Sequence, residues 1–561
     1  MRRIVSAAHL LLGLLPAMAV ADAVLYRNAN IITLDRDRST VGAFLVDNGR
    51  FIAVGVDDAS RAADSIAYRE VDLEGLTVLP GFIDSHNHVF EGASEIGGDC
   101  LLSPDDLIID QNAELSDCAS HTRPDGRWII GYGHQLENID TGDTLLTPRG
   151  FLDQYFPDNP VIIMEESSHS MLVNSAALSQ SGIDVDRADP QGGVIARDSQ
   201  GIPNGILFDN AGDIVMELAW NQVLDRDRLS YDGLLAGMSA ASRFGITTIG
   251  DGRLYWRRGW YEVWKDAERK GDLTVRVSLR PWIYPHVPLD QQIDAVRRFA
   301  NDERSDLLPL SQVKLYVDGV MHFGTAKMLE PYKWSWQENL PFGLNYVSPQ
   351  QLTQLLRELE KLGIGAHIHA VGDGGVREAL DAISTLRDED STVIYSLTHL
   401  ELIADSDISR FAELDVHADF QVGATYFDQT AWAGDYIGSD RARRMFPIRQ
   451  VFESGANVTF SSDWTVNALN PMVAIANSIR LQAGKGLPTV LDALEAATIN
   501  GARALGIQRE TGSIETGKSA DFVVLDIDPL TADPDEIEFA RPIMTVLQGE
   551  VVYQDGGRTL Q

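Results

Sequence analysis

Cysteine, positive charge and long apolar runs are all scarce in this sequence. Its 561 residues include 2 cysteines, and 46 Lys and Arg stand against 82 Asp and Glu, which gives a formal net charge of -36. So acidic a chain repels nucleic acid and anionic membrane surfaces, and its surface charge chiefly serves solubility. Two cysteines without a close C-x-x-C pair also disfavour a thiolate metal site. Small molecules are therefore the expected partners, and a homo-oligomer is compatible with the sequence.

The amino terminus has the three parts of a secretory signal peptide. Residues 1–21 read MRRIVSAAHLLLGLLPAMAVA, with two arginines, a short apolar stretch and an A-x-A site before Asp22. The alternatives are a structural helix or an uncleaved anchor. No later stretch approaches the ~20 apolar residues of a membrane span. We therefore expect a soluble mature protein, periplasmic or secreted, that makes no membrane contact after the signal is removed.

The two cysteines stand 18 positions apart, at Cys100 and Cys118, in a loop-like segment. In an exported protein such a pair favours a disulfide. Two free thiols are the alternative.

The pattern of short β-favouring runs changes near Gly81. Residues 22–79 read as hairpins, whereas later helical patterns alternate with apolar runs, which is typical of βα units and a parallel sheet. We predict an α/β fold in which residues 80–505 form a (β/α)8 TIM-like barrel. Residues 22–79 and 506–561 are expected to form a composite β-sandwich domain, and the segment at about 148–225 an insertion over the active site.

One βα unit can be predicted in detail. Ser348 is a helix N-cap candidate with Pro349 at the first helical position, and leucines recur at helical spacing until Gly363. The strand GAHIHA follows the helix, so its two histidines lie toward a strand end.

GFIDSHNHVF, from Gly81 to Phe90, places two histidines one residue apart at the end of an apolar run. In a strand, residues i and i+2 point to the same face, so His86 and His88 project side by side. Such a pair is a metal-ligand geometry, or else two polar residues at a strand end.

Other predicted strands also end in polar residues. In β/α barrels the active site is built at these carboxyl ends. A single buried histidine is more often a hydrogen-bonded core residue than a ligand. Here, however, the candidates form a set: His86, His88, Lys314, His369, His399 and Asp463.

Lys314 is unusual in this set because cations repel metals. In QVKLYVD, alternation places Lys314 and Asp318 on one face of a strand. Burial lowers the pKa of a lysine, and a neutral amine can add carbon dioxide to become an anionic carbamate. The alternative is a salt bridge between Lys314 and Asp318 or another inward acid.

The ordered motifs GFIDSHNH, KLYVDG, HAVGD, TH, SSDW and GSIETGKSADFVVLD resemble the amidohydrolase superfamily. More narrowly, they are similar to the amidohydrolase 3 family, which includes N-substituted formamide deformylases. The resemblance runs from about residue 23 to residue 552. It implies a first metal bound by His86, His88 and Asp463, a second bound by His369 and His399, and a carboxylated Lys314 that bridges them.

The resemblance also implies residues that contact substrate, and it shows three departures. His169 and Asn174, in HSMLVNSAAL, belong to a substrate-covering insertion, and Asp318 begins a family Asp-Gly segment. The departures are Ser396-Leu397-Thr398 in place of Arg-Ile-Glu, Ser167-Ser168 in place of Asp-Gly, and His367 in place of a small apolar residue. His367 is therefore a rival ligand or a substrate contact, and His134, in GYGHQLEN, is a further candidate for substrate contact.

The expected chemistry follows from the ligands. One or two divalent ions, with zinc expected from the imidazole-rich set, lower the pKa of bound water and supply hydroxide at neutral pH. We expect hydrolysis of an amide, N-acyl or N-formyl C-N bond, with Asp463 as both ligand and base. The alternatives are hydrolysis of an ester, lactone or cyclic amide, and a non-catalytic periplasmic binding or regulatory protein on the same barrel. A nucleotide-binding protein is disfavoured, since Gly372, Gly374 and Gly375 do not fit G-x-G-x-x-G.

Overall fold

Short strands and helices alternate along most of the chain. The computed structural model describes residues 23–93, 99–122, 126–139, 147–423, 430–481 and 484–556. The expected signal peptide, residues 1–21, lies outside the described residues.

The strands, in chain order, are β1 (Ala23–Ile32), β2 (Thr40–Asp47), β3 (Arg50–Val54), β4 (Tyr68–Asp72), β5 (Thr77–Pro80), β6 (Phe82–Asn87), β7 (Cys100–Leu101), β8 (Ile129–His134), β9 (Val161–Glu165), β10 (Ser170–Val173), β11 (Gly193–Arg197), β12 (Pro203–Asp209), β13 (Ile246–Asp251), β14 (Arg276–Ser278), β15 (Gln312–Tyr316), β16 (Gly365–Ala370), β17 (Tyr395–His399), β18 (Val416–Gln421), β19 (Val458–Ser461), β20 (Phe522–Leu525), β21 (Pro542–Leu547) and β22 (Glu550–Gln554).

The α-helices are α1 (Val56–Ala63), α2 (Val89–Ala93), α3 (Asn112–His121), α4 (Pro148–Leu152), α5 (Ser175–Gln180), α6 (Asn210–Trp220), α7 (Arg226–Arg243), α8 (Trp260–Lys270), α9 (Leu289–Asn301), α10 (Pro349–Glu360), α11 (Asp373–Arg387), α12 (Ile408–Glu413), α13 (Ala433–Ile437), α14 (Ser439–Ala442), α15 (Ile448–Glu453), α16 (Pro471–Arg480), α17 (Val490–Ala496), α18 (Ile499–Leu505) and α19 (Pro534–Ile537).

The first and last strands of the described chain share one sheet. Its order is β22-β21-β20-β5-β1-β2-β3, and β4 pairs with β1. Strand β20 pairs antiparallel with β5, so a segment from the end of the chain completes a sheet begun at its start. Phe44, Phe522 and Tyr26 pack ring against ring in its core, with centroids 5.0–5.2 Å apart.

Two parallel sheets carry the predicted strand-end residues. One has the order β14-β13-β6 and the other β15-β16-β17-β18-β19, and all their pairings are parallel. A parallel bridge between Trp282 and Lys314 links the chain after β14 to β15. At the other side, the backbone N-H of Asp463 donates to His86 O at 2.9 Å. The fold is therefore mixed α/β, and carboxyl ends of strands from the two parallel sheets come close together.

A third sheet, β11-β12-β10-β9-β8-β7, contains the strands of the predicted insertion. It also contains β7 and β8, which precede residue 148, because β8 runs parallel to β9. Cys100 in β7 and Cys118 in α3 form a disulfide with a Cα-Cα distance of 5.2 Å.

The detailed βα prediction can be compared with α10. Ser348 accepts from the Gln351 backbone, and the Gln351 side chain accepts from the Ser348 backbone, which is a capping box with Pro349 at the first position. Leu352, Leu355, Leu356 and Leu359 are all buried. The helix ends at Glu360, three residues before Gly363, so that prediction was confirmed to within one turn.

Gly512 to Ser519 reads GSIETGKS and matches the phosphate-loop pattern G-x-x-x-x-G-K-[ST], which is a sequence signal for nucleotide binding. A phosphate loop opens a helix, but these residues are turns that lead into strand β20. The Lys518 ammonium is held by Ser513 Oγ at 2.6 Å and Glu515 Oε1 at 3.0 Å. The segment therefore lacks the structure that phosphate binding requires.

Among the described residues, we find no helix with the length and apolarity needed to cross a membrane.

Candidate active site

The carboxyl ends of five parallel strands bring the predicted residues together. His86 is in β6, with His88 just beyond it, and Asp463 follows β19 by two residues. In the neighbouring strands, Lys314 in β15 pairs with His367 in β16. His399 is the last residue of β17 and pairs with Ala370, the neighbour of His369. The carboxyl ends of strands in both parallel sheets therefore supply all six residues.

Asp463 is the centre of the cluster. Its Oδ1 lies 3.1 Å from His86 Nε2 and 3.0 Å from His88 Nε2. The three ligand atoms lie within 4.8 Å of one another, which is compact enough for one metal ion. Burial opposes ionisation of the carboxyl, but the imidazoles of His86 and His88 outweigh it and hold the pKa of Asp463 well below its usual range. Asp463 is therefore an anion at neutral pH.

The second pair of histidines lies against the first. His399 Nδ1 is 3.8 Å from Asp463 Oδ2, and the rings of His369 and His399 are 4.2 Å apart. His369 Nε2 is 3.1 Å from Gly319 O, and since a carbonyl only accepts, that nitrogen carries the proton. Nδ1 of His369 then presents a lone pair to the cluster. Burial lowers the pKa of His399 to about 3, which keeps its ring neutral and able to bind a metal.

Lys314 is fully buried and lies within the cluster. Its Nζ is 3.5 Å from His86 Nδ1. In the part of the chain that the structure describes, the lysine forms no ion pair with a carboxylate within 4.0 Å, so the alternative of a salt bridge to Asp318 is wrong. Burial, which is the main cause, lowers the pKa of Lys314 well below its usual range. A neutral amine in this position is the state that carbamate formation needs.

His367 is a hydrogen-bond partner of a predicted ligand rather than a substrate contact. Its Nε2 is 3.1 Å from His86 Nδ1, and its Nδ1 is 2.7 Å from Ser396 Oγ. His367 and Ser396 are both 0% exposed, and both ring nitrogens of His367 are occupied by these two contacts. Ser396 and His367 are two of the departures noted in the sequence, and the structure shows that they bond to each other.

The same chain of bonds continues behind Ser396. Gln312 Nε2 donates to Ser396 Oγ at 3.0 Å, and Arg280 Nη2 donates to Gln312 Oε1 at 2.9 Å. Because the guanidinium only donates, it fixes which end of the Gln312 amide faces Ser396. A buried network thus orients His86 from the side away from Asp463.

Asp84 connects the strand that carries the histidine pair to the turn that carries Asp463. This role was not predicted from the sequence. Asp84 Oδ1 accepts from the Ser462 backbone at 2.9 Å, and its Oδ2 accepts from Asn87 Nδ2 at 2.9 Å and from Ser462 Oγ at 2.5 Å. These bonds tie β6 to the turn that carries Asp463, 378 residues later. The signal was present in the first motif, whose Asp precedes the histidine pair by two residues.

Two site residues adopt an unfavourable backbone conformation. His399 has φ 76° and Asp463 has φ 52°, in the left-handed region that residues with a Cβ seldom occupy. Such strain persists only where the surroundings impose it, and it concentrates at functional sites. Here it turns both side chains away from the regular strand direction and toward each other.

His169 reaches the edge of the cluster from the third sheet. Its ring centroid lies 5.1 Å from that of His369 and 5.4 Å from that of Tyr316. Nδ1 of His169 donates to Asp209 Oδ1 at 2.7 Å, and Tyr346 Oη donates to the same oxygen at 2.9 Å. The bond to Asp209 fixes the ring orientation, so His169 stays a candidate for substrate contact.

Three other predicted substrate contacts have structural roles instead. Asn174 caps α5 through Ala177 N and also donates to Phe156 O and Asn159 O. Asp318 accepts from three backbone N-H groups, those of Lys327, Val371 and Gly372. His134 Nε2 lies 3.1 Å from Ile163 O within the third sheet. Because backbone groups occupy these side chains, we reassign all three residues to the scaffold.

The donor set fits a divalent metal. Several buried imidazole nitrogens have no hydrogen-bond partner within the described residues, namely His86 Nε2, His369 Nδ1 and His399 Nε2. Leaving a buried polar atom unpaired is costly, so an unpaired group of this kind requires an explanation. Neutral imidazoles with one carboxylate form a ligand set that suits zinc and related ions.

Glu91 and Arg253 form an outer layer that the sequence did not reveal. Glu91 Oε1 is 3.8 Å from His88 Nδ1 and 3.9 Å from Arg253 Nη2. A carboxylate behind a ligating histidine orients the ring and raises its basicity.

Comparison with known proteins agrees with this geometry. Residues 69–553 match the model of the amidohydrolase family. The chain is 27% identical to an N-substituted formamide deformylase of Arthrobacter pascens over 94% of this chain and 98% of that protein. It is 28% identical to the protein LONG AFTER FAR-RED 3 of Arabidopsis thaliana over 91% and 88% of the two chains.

A solved structure shares the fold. It is that of an uncharacterized metal-dependent hydrolase from Pyrococcus furiosus, which is 22% identical, with a TM-score of 0.70 over 91% of this chain and 100% of that chain. The family match covers most of the sequence, including every strand that carries a cluster residue. The chain therefore belongs to the amidohydrolase family and is a hydrolase that acts on carbon-nitrogen bonds.

Proposed function

We propose that this chain is a metal-dependent amidohydrolase that hydrolyses the acyl C-N bond of an amide, N-acyl or N-formyl compound. The observation that carries the proposal is the buried group of His86, His88 and Asp463, whose ligand atoms lie within 4.8 Å of one another. The similarity to a formamide deformylase supports the N-formyl or N-acyl class.

The residues that would hold metal divide into two groups. His86, His88 and Asp463 would hold a first ion, and His369 and His399 a second, with zinc the preferred metal. When bound, such ions act as Lewis acids and lower the pKa of water, so that a nucleophile exists at neutral pH.

Lys314 would complete the donor set as a carbamate. Its neutral amine attacks carbon dioxide, an N-C bond forms, and one proton leaves to give an anionic carbamate. The absence of a carboxylate partner for Lys314 in the described residues supports this role, because a protonated amine buried without a counter-ion would be costly.

Asp463 would move the proton. Its carboxylate is ionised, and two imidazoles hold it in place. It can accept the proton of the water that attacks the acyl carbon and deliver it to the leaving amine nitrogen. His169, at the edge of the cluster and held by Asp209, would orient the substrate.

We place this site on a (β/α)8 barrel formed by the two parallel sheets, β6-β13-β14 and β15 to β19. The sheet that joins β1–β5 to β20–β22 would be the separate composite domain predicted for residues 22–79 and 506–561. We also propose export to the periplasm or the medium. The signal-like residues 1–21 and the disulfide between Cys100 and Cys118 support that location.

The test combines metal analysis with turnover. Elemental mass spectrometry of zinc-loaded protein should find about two ions per chain, and both Lys314→Ala and Asp463→Ala should lower that number. Wild-type protein should release amine from N-formyl and N-acetyl benzylamine. Hydrolysis of esters or lactones but not of amides would favour the alternative that the enzyme cleaves an ester or a lactone. Protein that binds no ion after reconstitution would overturn the enzyme proposal in favour of a binding protein.

A further inference from the structure

A cavity of about 380 Å³ lies beside the candidate metal centre. It is lined by Gln135, Glu137, Glu165, Glu166, Ser167, His322, Trp432, Tyr436 and Val466. We call this cavity the acidic-aromatic pocket. Val466 belongs to the turn that carries Asp463, since its N-H donates to Asp463 O at 2.8 Å. Ser167 precedes His169 by two residues. A substrate at the metal centre can therefore extend into the pocket.

The pocket is rich in carboxyl groups, and no lysine or arginine within the described residues balances them. Three glutamates line it, and in the described part of the chain none of them pairs with a lysine or arginine within 4.0 Å. Gln135 Nε2 donates to Glu166 Oε2 at 2.9 Å, and the Ser167 N-H donates to Glu165 Oε2 at 2.8 Å. Burial raises the pKa of Glu165 to about 8, and the charges of Glu137 and Glu166 add to this effect. A bound cation would relieve that repulsion.

Aromatic rings also line the pocket and continue to the surface. The centroid of Trp432 lies 6.2 Å from that of His322 and 5.7 Å from that of Tyr436. Beyond Tyr436, Trp334 follows at 5.1 Å and Trp336 at a further 5.3 Å. Trp334 and Trp336 are 49% and 43% exposed, so the row of rings leads from solvent to the pocket.

The arrangement favours an organic cation over a metal ion. A metal needs ligand atoms close together, and among the described residues the compact group of such atoms is His86, His88 and Asp463, not the three glutamates. Carboxylates spread around a cavity, with indole and phenol rings in its wall, suit an ammonium group on an organic body. Such groups gain from the ring faces as well as from the negative charge.

We propose that the acidic-aromatic pocket binds a positively charged group of the substrate, so that the preferred substrates are N-acyl derivatives of amines that carry a second, cationic amino group. This inference rests on the proposed function for the bond that is cleaved. The aromatic row adds a preference for an aryl group between the two nitrogens.

Two substrates of nearly equal shape test the proposal. N-formyl-4-(aminomethyl)benzylamine carries an ammonium group, whereas N-formyl-4-ethylbenzylamine has a methyl group in its place. We expect zinc-loaded wild type to prefer the cationic substrate about tenfold in kcat/KM. Glu165→Gln and Glu166→Gln should each remove most of that preference. Glu262→Gln, at an exposed position of α8, removes the same charge elsewhere on the protein. It should change neither the preference for the cationic substrate nor kcat/KM for the neutral one.

Binding measured without turnover separates this inference from the proposed function. Isothermal titration calorimetry of the zinc-loaded protein would use 4-methylbenzylammonium and, as the neutral probe, 4-methylbenzyl alcohol. Tight binding of the cation that Glu165→Gln and Glu166→Gln weaken, without hydrolysis of either formamide, would support the pocket and reject the proposed function. Hydrolysis of both formamides at equal kcat/KM, unchanged in these variants, would overturn the pocket and support the function. If the protein neither binds the cation nor hydrolyses either formamide, both proposals are overturned.

Discussion

The bond between His367 and His86 leads to a prediction about metal affinity. His367 Nε2 is 3.1 Å from His86 Nδ1, and both rings are 0% exposed, so water cannot replace the contact. Removing a hydrogen-bond partner behind a metal-ligating histidine typically costs 10–100-fold in metal affinity. We therefore expect His367→Leu to weaken zinc binding by about 10–100-fold, or about 1.4–2.7 kcal/mol. Leucine is an apolar residue of similar size, which limits any cavity.

The assay is competition between the protein and a chelator of known zinc affinity, which does not depend on turnover. Ser396→Ala should weaken zinc binding less than His367→Leu, because it removes only the far end of the chain of bonds. The double variant should match His367→Leu, since Ser396 acts through His367 and coupled residues are not additive. His367→Gln, whose side-chain oxygen can still accept from His86 Nδ1, should recover part of the affinity.

Two results would refute this reasoning. Zinc affinity within about threefold of wild type in His367→Leu would mean that the bond does not orient His86. A loss of one whole ion per chain, as expected for His86→Ala, would make His367 a direct ligand. Circular dichroism and thermal unfolding of each variant would show that the fold is intact in either case.

Three further outcomes are expected. Asp463→Asn should lower kcat on an N-formyl amine by about 10²–10⁴-fold, as for loss of a general acid-base; a smaller effect would reject that role. Asn174→Ala should lower the free energy of urea unfolding by about 2–4 kcal/mol and leave KM unchanged, because the variant loses the N-cap of α5 and two buried hydrogen bonds. A raised KM would instead restore Asn174 as a substrate contact. Glu165 has a folded pKa of about 8, above its usual value, so the folded state holds its proton more tightly and stability falls as pH rises from about 5 to 8. Glu165→Gln should therefore flatten the pH dependence of unfolding by on the order of 3 kcal/mol, and curves that stay parallel in wild type and variant would show that Glu165 ionises normally.

Local patterns in the sequence predicted one βα unit in detail and the residues that meet in the cluster. A period of two in GFIDSHNH predicted that His86 and His88 share a face, and both lie 3.0–3.1 Å from Asp463 Oδ1. Helix α10 followed from Ser348 and Pro349, since a capping box depends on residues three positions apart. The cluster itself followed because strand ends of βα units meet at one edge.

Roles that depend on contacts distant in sequence could not be predicted. His367 was interpreted as a rival ligand or a substrate contact, yet its partner Ser396 lies 29 residues away in the next strand. Asn174 and Asp318 have the residue types of substrate contacts, but the fold places backbone groups around them. Three-dimensional packing alone decides which polar group meets which.

The sequence by itself thus determined which residues stand at the strand ends, because strand alternation and helix capping are local in the chain. Only the tertiary structure decided that Asp84 accepts a hydrogen bond from Ser462 and that His367 is bonded to His86. It also decided that Glu165 and Trp432 line one cavity. The physical reason is that these two kinds of constraint act over different distances along the chain. Backbone geometry fixes the direction of a side chain from its neighbours in sequence, whereas its partner depends on where the fold brings a distant segment within hydrogen-bonding distance.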